Sequence, residues 1–262
     1  MKPLLLPVAL LAVAGVAHVA AASPAPPRPD VLVVALDLSG RPFQAGAVRG
    51  REVVYATGFE PELARALARR LSIDTVRFVY VPRERLLRRG PKPWSLALAR
   101  LQPGSTASLR FSAPYLEADQ AVVLRRGLPR PRRLAALRRL QLCAERGSRG
   151  AAVIASRIRP SLRPLLVRDA ATLVRRVQTG ACDATLVEAP LVGSFVAGRR
   201  DRLGPVAGRV DTRAGYAVAL EPGSRLRARV DTALRRLRAD GTLARLRRGW
   251  LGADPNRIPV LR

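Results

Sequence analysis

Few residues in this chain can do chemistry, and their types narrow what that chemistry is. The 262-residue sequence holds a single histidine, His18, inside an apolar N-terminal stretch. No Ser or Cys beyond it has an evident base partner, so the chain is not expected to be an enzyme working through an activated nucleophile. The same shortage argues against a metal site, and no cofactor is expected. Recognition chemistry remains. Gly147-Ser148-Arg149-Gly150 stands between a strand-like run and a helix-like run, where backbone N–H groups at a helix start can bind an anion. The plainer alternative is a tight turn, which glycine favours in any case. Cys143 and Cys182 are the only cysteines, either bridged or present as two buried thiols.

The N-terminus bears on the compartment. Lys2 precedes the uncharged stretch from Leu4 to Val19, and small residues follow at Ala20, Ala21, Ala22 and Ser23. A basic start, a short apolar core and a small-residue site form the pattern of a secretory signal peptide. The stretch is shorter than the roughly 20 residues a spanning helix prefers. Residues 1–22 are therefore expected to be a cleaved signal, with 23–29 a Pro-rich linker. The remainder is expected to be soluble and exported, periplasmic or extracellular. In such a chain an even cysteine count favours a disulfide.

The charge is lopsided: 47 Lys and Arg against 19 Asp and Glu give a net +28, and only Lys2 and Lys92 are lysines. Such a skew could mark a nucleic-acid or anionic-surface partner. Against nucleic acid stand the spread of the arginines along the chain, export, and an aromatic content of 4 % without interleaving, which supplies no stacking platform. The skew instead reads as compositional, of a kind with the abundant Ala, Pro and Gly.

The elements that must hold these residues alternate. Val31 to Leu36 reads as a buried strand, and Glu60 to Leu71 as a helix with Leu63, Leu67 and Leu71 four apart. Val76 to Val81, Trp94 to Leu98 and Ala121 to Leu124 are short apolar runs. After the basic stretch Arg125 to Arg139 the grammar restarts. Leu140 to Ala144 is strand-like, a helix follows from Ala151, and Leu165 to Val167 is a strand. Asp169 is placed to cap a helix that Gly180 ends. Ala184 to Val187 and Tyr216 to Leu220 are strands, and Ser224 is the expected N-cap of the next helix. This alternation predicts α/β layering with mostly parallel sheets, and the restart predicts two units.

Four segments resemble bacterial extracellular solute-binding proteins of family 3, the amino-acid-binding components of ABC importers. They are Gly58-Phe59-Glu60 opening a helix, Phe111-Ser112-Ala113-Pro114-Tyr115, Gly180-Ala181-Cys182-Asp183-Ala184, and Ala239-Asp240-Gly241-Thr242-Leu243 followed by Trp250-Leu251-Gly252. Their order and spacing carry the resemblance. It implies a two-lobed periplasmic-binding-protein fold of type II. Lobe one would be 30–115 plus 216–262 and lobe two 119–212, with crossings at 116–118 and 213–215. Ligand would sit between the lobes at the C-terminal ends of strands, and closure about the crossings would follow. The partners implied are a small amino-acid-like ligand and a membrane ABC permease, with the receptor a monomer. A diverged fold acting as an interaction protein, or a dehydratase-like enzyme, is the alternative.

The resemblance also implies a ligand set. Asp37 and Glu188, each after a strand, match acidic residues that hold the ligand's ammonium from opposite lobes, a pairing that charge-assisted hydrogen bonds favour. Phe43 matches an aromatic lining the pocket, with the core as its alternative. Ser148 and Arg149 fall in the loop used for the carboxylate side. The sequence departs from the family where an arginine is usual six residues before Phe111: Ser105 stands there, so the usual bidentate clamp is missing. Arg100 and Gln102 occupy upstream hydroxyl positions, and Arg83 replaces an aromatic. Ordinary α-amino-acid specificity is thereby in doubt, and a more cationic cleft suited to a dicarboxylate is expected. Cys143 and Cys182 would lie on neighbouring strands.

Overall fold

The computed structural model describes residues 30–199, 203–252 and 257–262. The expected signal and linker lie outside them. No helix among the described residues is long and apolar enough to cross a membrane.

The chain first lays down β1 (Val31–Leu36), the hairpin β2 (Ala45–Arg49) and β3 (Glu52–Thr57), helix α1 (Phe59–Leu71), β4 (Thr75–Tyr80), the short α2 (Arg83–Leu86), β5 (Leu96–Leu98) and β6 (Arg110–Glu117). A second set follows: β7 (Gln120–Leu124), β8 (Leu142–Glu145), α3 (Arg149–Val153), β9 (Leu165–Val167), α4 (Ala170–Gln178), β10 (Ala184–Glu188), α5 (Val192–Val196) and β11 (Val206–Val210). Then β12 (Gly215–Leu220), α6 (Leu226–Ala239) and α7 (Thr242–Leu251) return to the first. The result is a seven-stranded sheet ordered β2-β3-β4-β1-β5-β12-β6 and a five-stranded sheet ordered β11-β7-β10-β8-β9.

The two sheets bear out the expected pair of α/β units, but not the mostly parallel pairing. Only β4-β1-β5 and β10-β8-β9 run parallel. The strands on either side of each passage between sheets, β6, β7, β11 and β12, pair antiparallel. Their direction is set by where the chain arrives from, which hydropathy does not record.

β1 reads as continuous apolar sequence because both of its faces are covered, as central parallel strands require. Leu32, Val34 and Leu36 share a core with Leu63 and Leu67 of α1 and Leu234 of α6. Ala35 faces Leu86, Trp94 and Leu101 on the other side. Each large side chain so buried stabilises the fold by about 1.5–3 kcal/mol. Asp169 caps α4 by accepting from Thr172 N–H, as its position predicts. The helix after Ser224 starts one residue later than expected: Arg225 occupies the N-cap, and Ser224 Oγ accepts from Leu226 N–H at 3.3 Å.

The chain passes between the sheets at 118–119 and again at 211–214, side by side. Ala118 N–H donates to Ala214 O and Thr212 N–H to Asp119 Oδ1, both at 2.8 Å. Asp119, 3 % exposed, is also paired with Arg209. The C-terminus departs from the expected assignment of 216–262 to the first unit. Val260 bridges to Arg209 beside β11, Leu261 is buried in the second sheet's core, and Leu134 N–H donates to Arg262 O at 3.0 Å. Leu261 gains more by filling that core than by staying with α7 in solvent.

Candidate functional site

Two adjoining cavities open between the sheets. The smaller, of about 320 Å³, is lined by Asp37, Ser39, Arg83, Arg100, Gln102, Ser105, Arg149 and Glu188. The larger, of about 650 Å³, shares Arg100, Arg149 and Glu188, and extends along the second sheet past Gln120, Arg146, Ser148 and Arg199. Six residues expected from the sequence, Asp37, Arg83, Arg100, Gln102, Arg149 and Glu188, therefore share one cavity.

Asp37 follows the last residue of β1. Its side chain is only 5 % exposed, and Oδ2 accepts from Arg83 at 3.3 Å. Arg83 opens α2 and also donates to Ala99 O at 2.6 Å. Glu188 ends β10 and accepts from the hydroxyl of Tyr216 on β12. Burial, and then the Glu188 charge, hold the Tyr216 phenol well above its ordinary range, so it remains a donor. Arg149 at the head of α3 donates to Gln102 of the opposite unit, so the two sides meet across the cleft.

Arg100 is set by its backbone. Its φ of 48° is left-handed, its N–H donates to Glu60 Oε1 at 2.8 Å, and its guanidinium lies 5.6 Å from the Phe43 ring centroid. Glu60 is fully buried and also accepts from Tyr115 Oη and Gln44 Nε2. Gly58 permits this: at φ 122° a Cβ there would stand 2.4 Å from Phe43 O. Burial pushes the Glu60 carboxyl above its ordinary 4.5, and the three hydrogen bonds pull it partly back. A folded value raised above the unfolded one gives stability that is fully present below about pH 4.5 and lost as pH rises through the folded value. Urea unfolding across pH should show that loss in the parent, and Glu60→Gln should abolish it. Parallel profiles for the two proteins would refute the assignment.

Two expected ligand residues sit differently. Phe43 lines neither cavity. It is 1 % exposed and packs edge-on against Phe59 and Tyr216, so it reaches the cleft only indirectly, through Arg100 and through Tyr216, which holds Glu188. Ser148 lines the larger cavity, but its hydroxyl caps α3 by accepting from Ala151 N–H at 3.1 Å. The helix it caps has only five residues before widening into a π turn at Ile154–Ile158, so its dipole is short. Sequence reasoning missed Arg41, Gln120, Arg146 and Arg199. Arg146 adjoins the Gly147 loop, which marks it in the sequence. Gln120 opens the apolar β7 run with no signal of its own.

Three buried atoms of this cleft find no hydrogen-bond partner among the described residues: Asp37 Oδ1, Arg100 Nε and Gln120 Nε2. One is an acceptor of negative charge and two are donors. Cys143 and Cys182 form a disulfide behind it, with Cα atoms 5.9 Å apart.

The sequence profile of bacterial extracellular solute-binding proteins, family 3, matches residues 32–253. The chain belongs to this family. Among solved structures, this solute-binding protein is similar to the L-cystine solute receptor of Neisseria gonorrhoeae, at 19 % identity and TM-score 0.70, over 86 % of this chain and 93 % of that one. Substrate-binding domain 2 of GlnP from Lactococcus lactis gives 16 % identity and TM-score 0.70, over 87 % and 98 %. An ancestral amino-acid-binding protein described as a precursor of cyclohexadienyl dehydratase gives 20 % and 0.60, over 85 % and 95 %. These likenesses establish the fold. Among curated proteins, none matches the chain by sequence.

Proposed function

We propose that this solute-binding protein is an exported receptor that captures a small, polar, amino-acid-like ligand between its lobes and presents it to an ABC importer. The polarity of the unpartnered cleft atoms carries this reading. A buried polar atom without a partner costs about 1–3 kcal/mol, and a zwitterion relieves both kinds at once. Its ammonium suits Asp37 and Glu188, while its carboxylate suits Arg100 and Gln120. The paired passages at 118–119 and 211–214 are the hinge about which the lobes close on it, and a loaded receptor thereby differs in shape from an empty one.

A thermal-shift screen of amino acids tests the reading. Ligand at 100 times its Kd stabilises the native state by about 2.7 kcal/mol, a rise in Tm of about 5–10 °C for a chain of this size. No shift from any amino acid would refute it. Turnover of prephenate-like acids by the purified protein would replace binding by a dehydratase-like activity.

A further inference from the structure

We propose that the ligand carries a second anionic group, beyond its α-carboxylate, which sits in the larger cavity among Arg146, Arg149 and Arg199. The inference rests on the amino-acid-like reading above and specifies the class of ligand. The larger cavity is lined by five arginines, Arg41, Arg100, Arg146, Arg149 and Arg199, against two carboxylates, Glu145 and Glu188. None of the five is ion-paired with a carboxylate among the described residues. Arg149 spends one donor on Gln102 and keeps the rest of its fork. Arg199 is held in place by donating to Phe195 O at 2.8 Å.

A ligand of zero net charge leaves this excess of positive charge uncompensated. Lobe closure would then take several guanidinium groups out of water without partners, which is strongly unfavourable. A second carboxylate or a phosphate ester answers them with charge-assisted, bidentate hydrogen bonds. Leu173, Leu191 and Phe195 line the same cavity and give an apolar wall for the stem joining the α-carbon to that group. The net +28 of the chain favours the approach of such an anion at low salt.

Calorimetry with L-glutamate, O-phospho-L-serine, L-glutamine and L-arginine decides the matter. At least one of the two anionic probes should bind about tenfold more tightly than glutamine, and which one does so separates carboxylate from phosphate. In Arg146→Gln/Arg199→Gln that advantage should fall below about threefold, because the anionic probe loses more affinity than glutamine does. Arg146 is exposed and Arg199 partly so, so either single variant serves if the pair fails to fold. Glutamine or arginine binding as tightly as both anionic probes would overturn the proposal and leave the amino-acid-like reading intact, as would an advantage that survives both substitutions. Failure of every amino acid to bind natively folded protein would overturn the two together.

Discussion

Asp37→Ala and Glu188→Ala are each expected to weaken ligand binding by well over tenfold, about 2–5 kcal/mol. The two carboxylates approach the smaller cavity from opposite sheets, and on the proposed reading each supplies half of the grip on an ammonium. Asp37 is the more telling position. One oxygen is committed to Arg83, the other is buried and unpartnered, and the alanine variant removes that acceptor while leaving Arg83 its bond to Ala99 O. Asp37→Asn keeps the shape and loses the charge, so it separates electrostatics from packing. Glu188→Ala has a second consequence, because it strands the hydroxyl of Tyr216, which is 1 % exposed. Losing that partner costs about 1–3 kcal/mol of stability, and affinity must be read on protein shown to be folded. Tyr216→Phe spares the carboxylate and should alter affinity far less. Calorimetric affinities for Asp37→Ala and Glu188→Ala equal to the parent's would refute the ammonium site.

The residues that made the family legible hold the fold, and none of them lines either cavity of the cleft. Glu60 and Tyr115, from two separate motifs, meet in one buried hydrogen bond. Asp183 accepts from Gln141 N–H and Arg125, and Asp240 from Thr242 N–H and Arg70. Motifs of this kind persist in sequence because a buried or capping polar group tolerates few replacements. Cleft residues carry no such fold constraint: the family positions bring Asp37, Arg83, Arg100, Gln102, Arg149 and Glu188 together but do not point to Arg146 or Arg199. Arg199 is indistinguishable in sequence from the many other arginines, whereas Arg146 is marked only by the Gly147 loop beside it. The hairpin β2-β3 escaped notice because Ala45–Arg49 has no alternation and is mostly exposed. The return of the C-terminus was hidden because it depends on a distant residue. A Cβ at Gly208 would lie 2.7 Å from Leu261, so the tail seats there only because β11 offers a bare backbone.

Removing the disulfide should loosen the second unit ahead of the first. Cys143 lies on β8, between β9 and β10, and Cys182 lies in the connection from α4 to β10. Both are fully buried, and they are 39 residues apart in sequence. Closing a loop of that length restricts the unfolded chain by about 4 kcal/mol in the chain-entropy account. The loop spans β8, α3, β9 and α4, which all belong to the five-stranded sheet. Cys143→Ala/Cys182→Ala avoids burying a new hydroxyl and should shift unfolding by about that amount, with a small addition for lost packing. The two tryptophans give the location. Trp94 packs in a core of the seven-stranded sheet and Trp250 against its other core, so their fluorescence reports mainly the first unit. In urea the variant's far-UV circular dichroism should begin to fall at lower denaturant than its tryptophan emission, whereas the parent's two signals are expected to lie closer together. A variant whose two signals coincide and whose midpoint matches the parent's would show that the bridge contributes nothing to holding β8 beside β10. A coincident shift of both signals would show instead that the units unfold as one, coupled through the paired passages at 118–119 and 211–214.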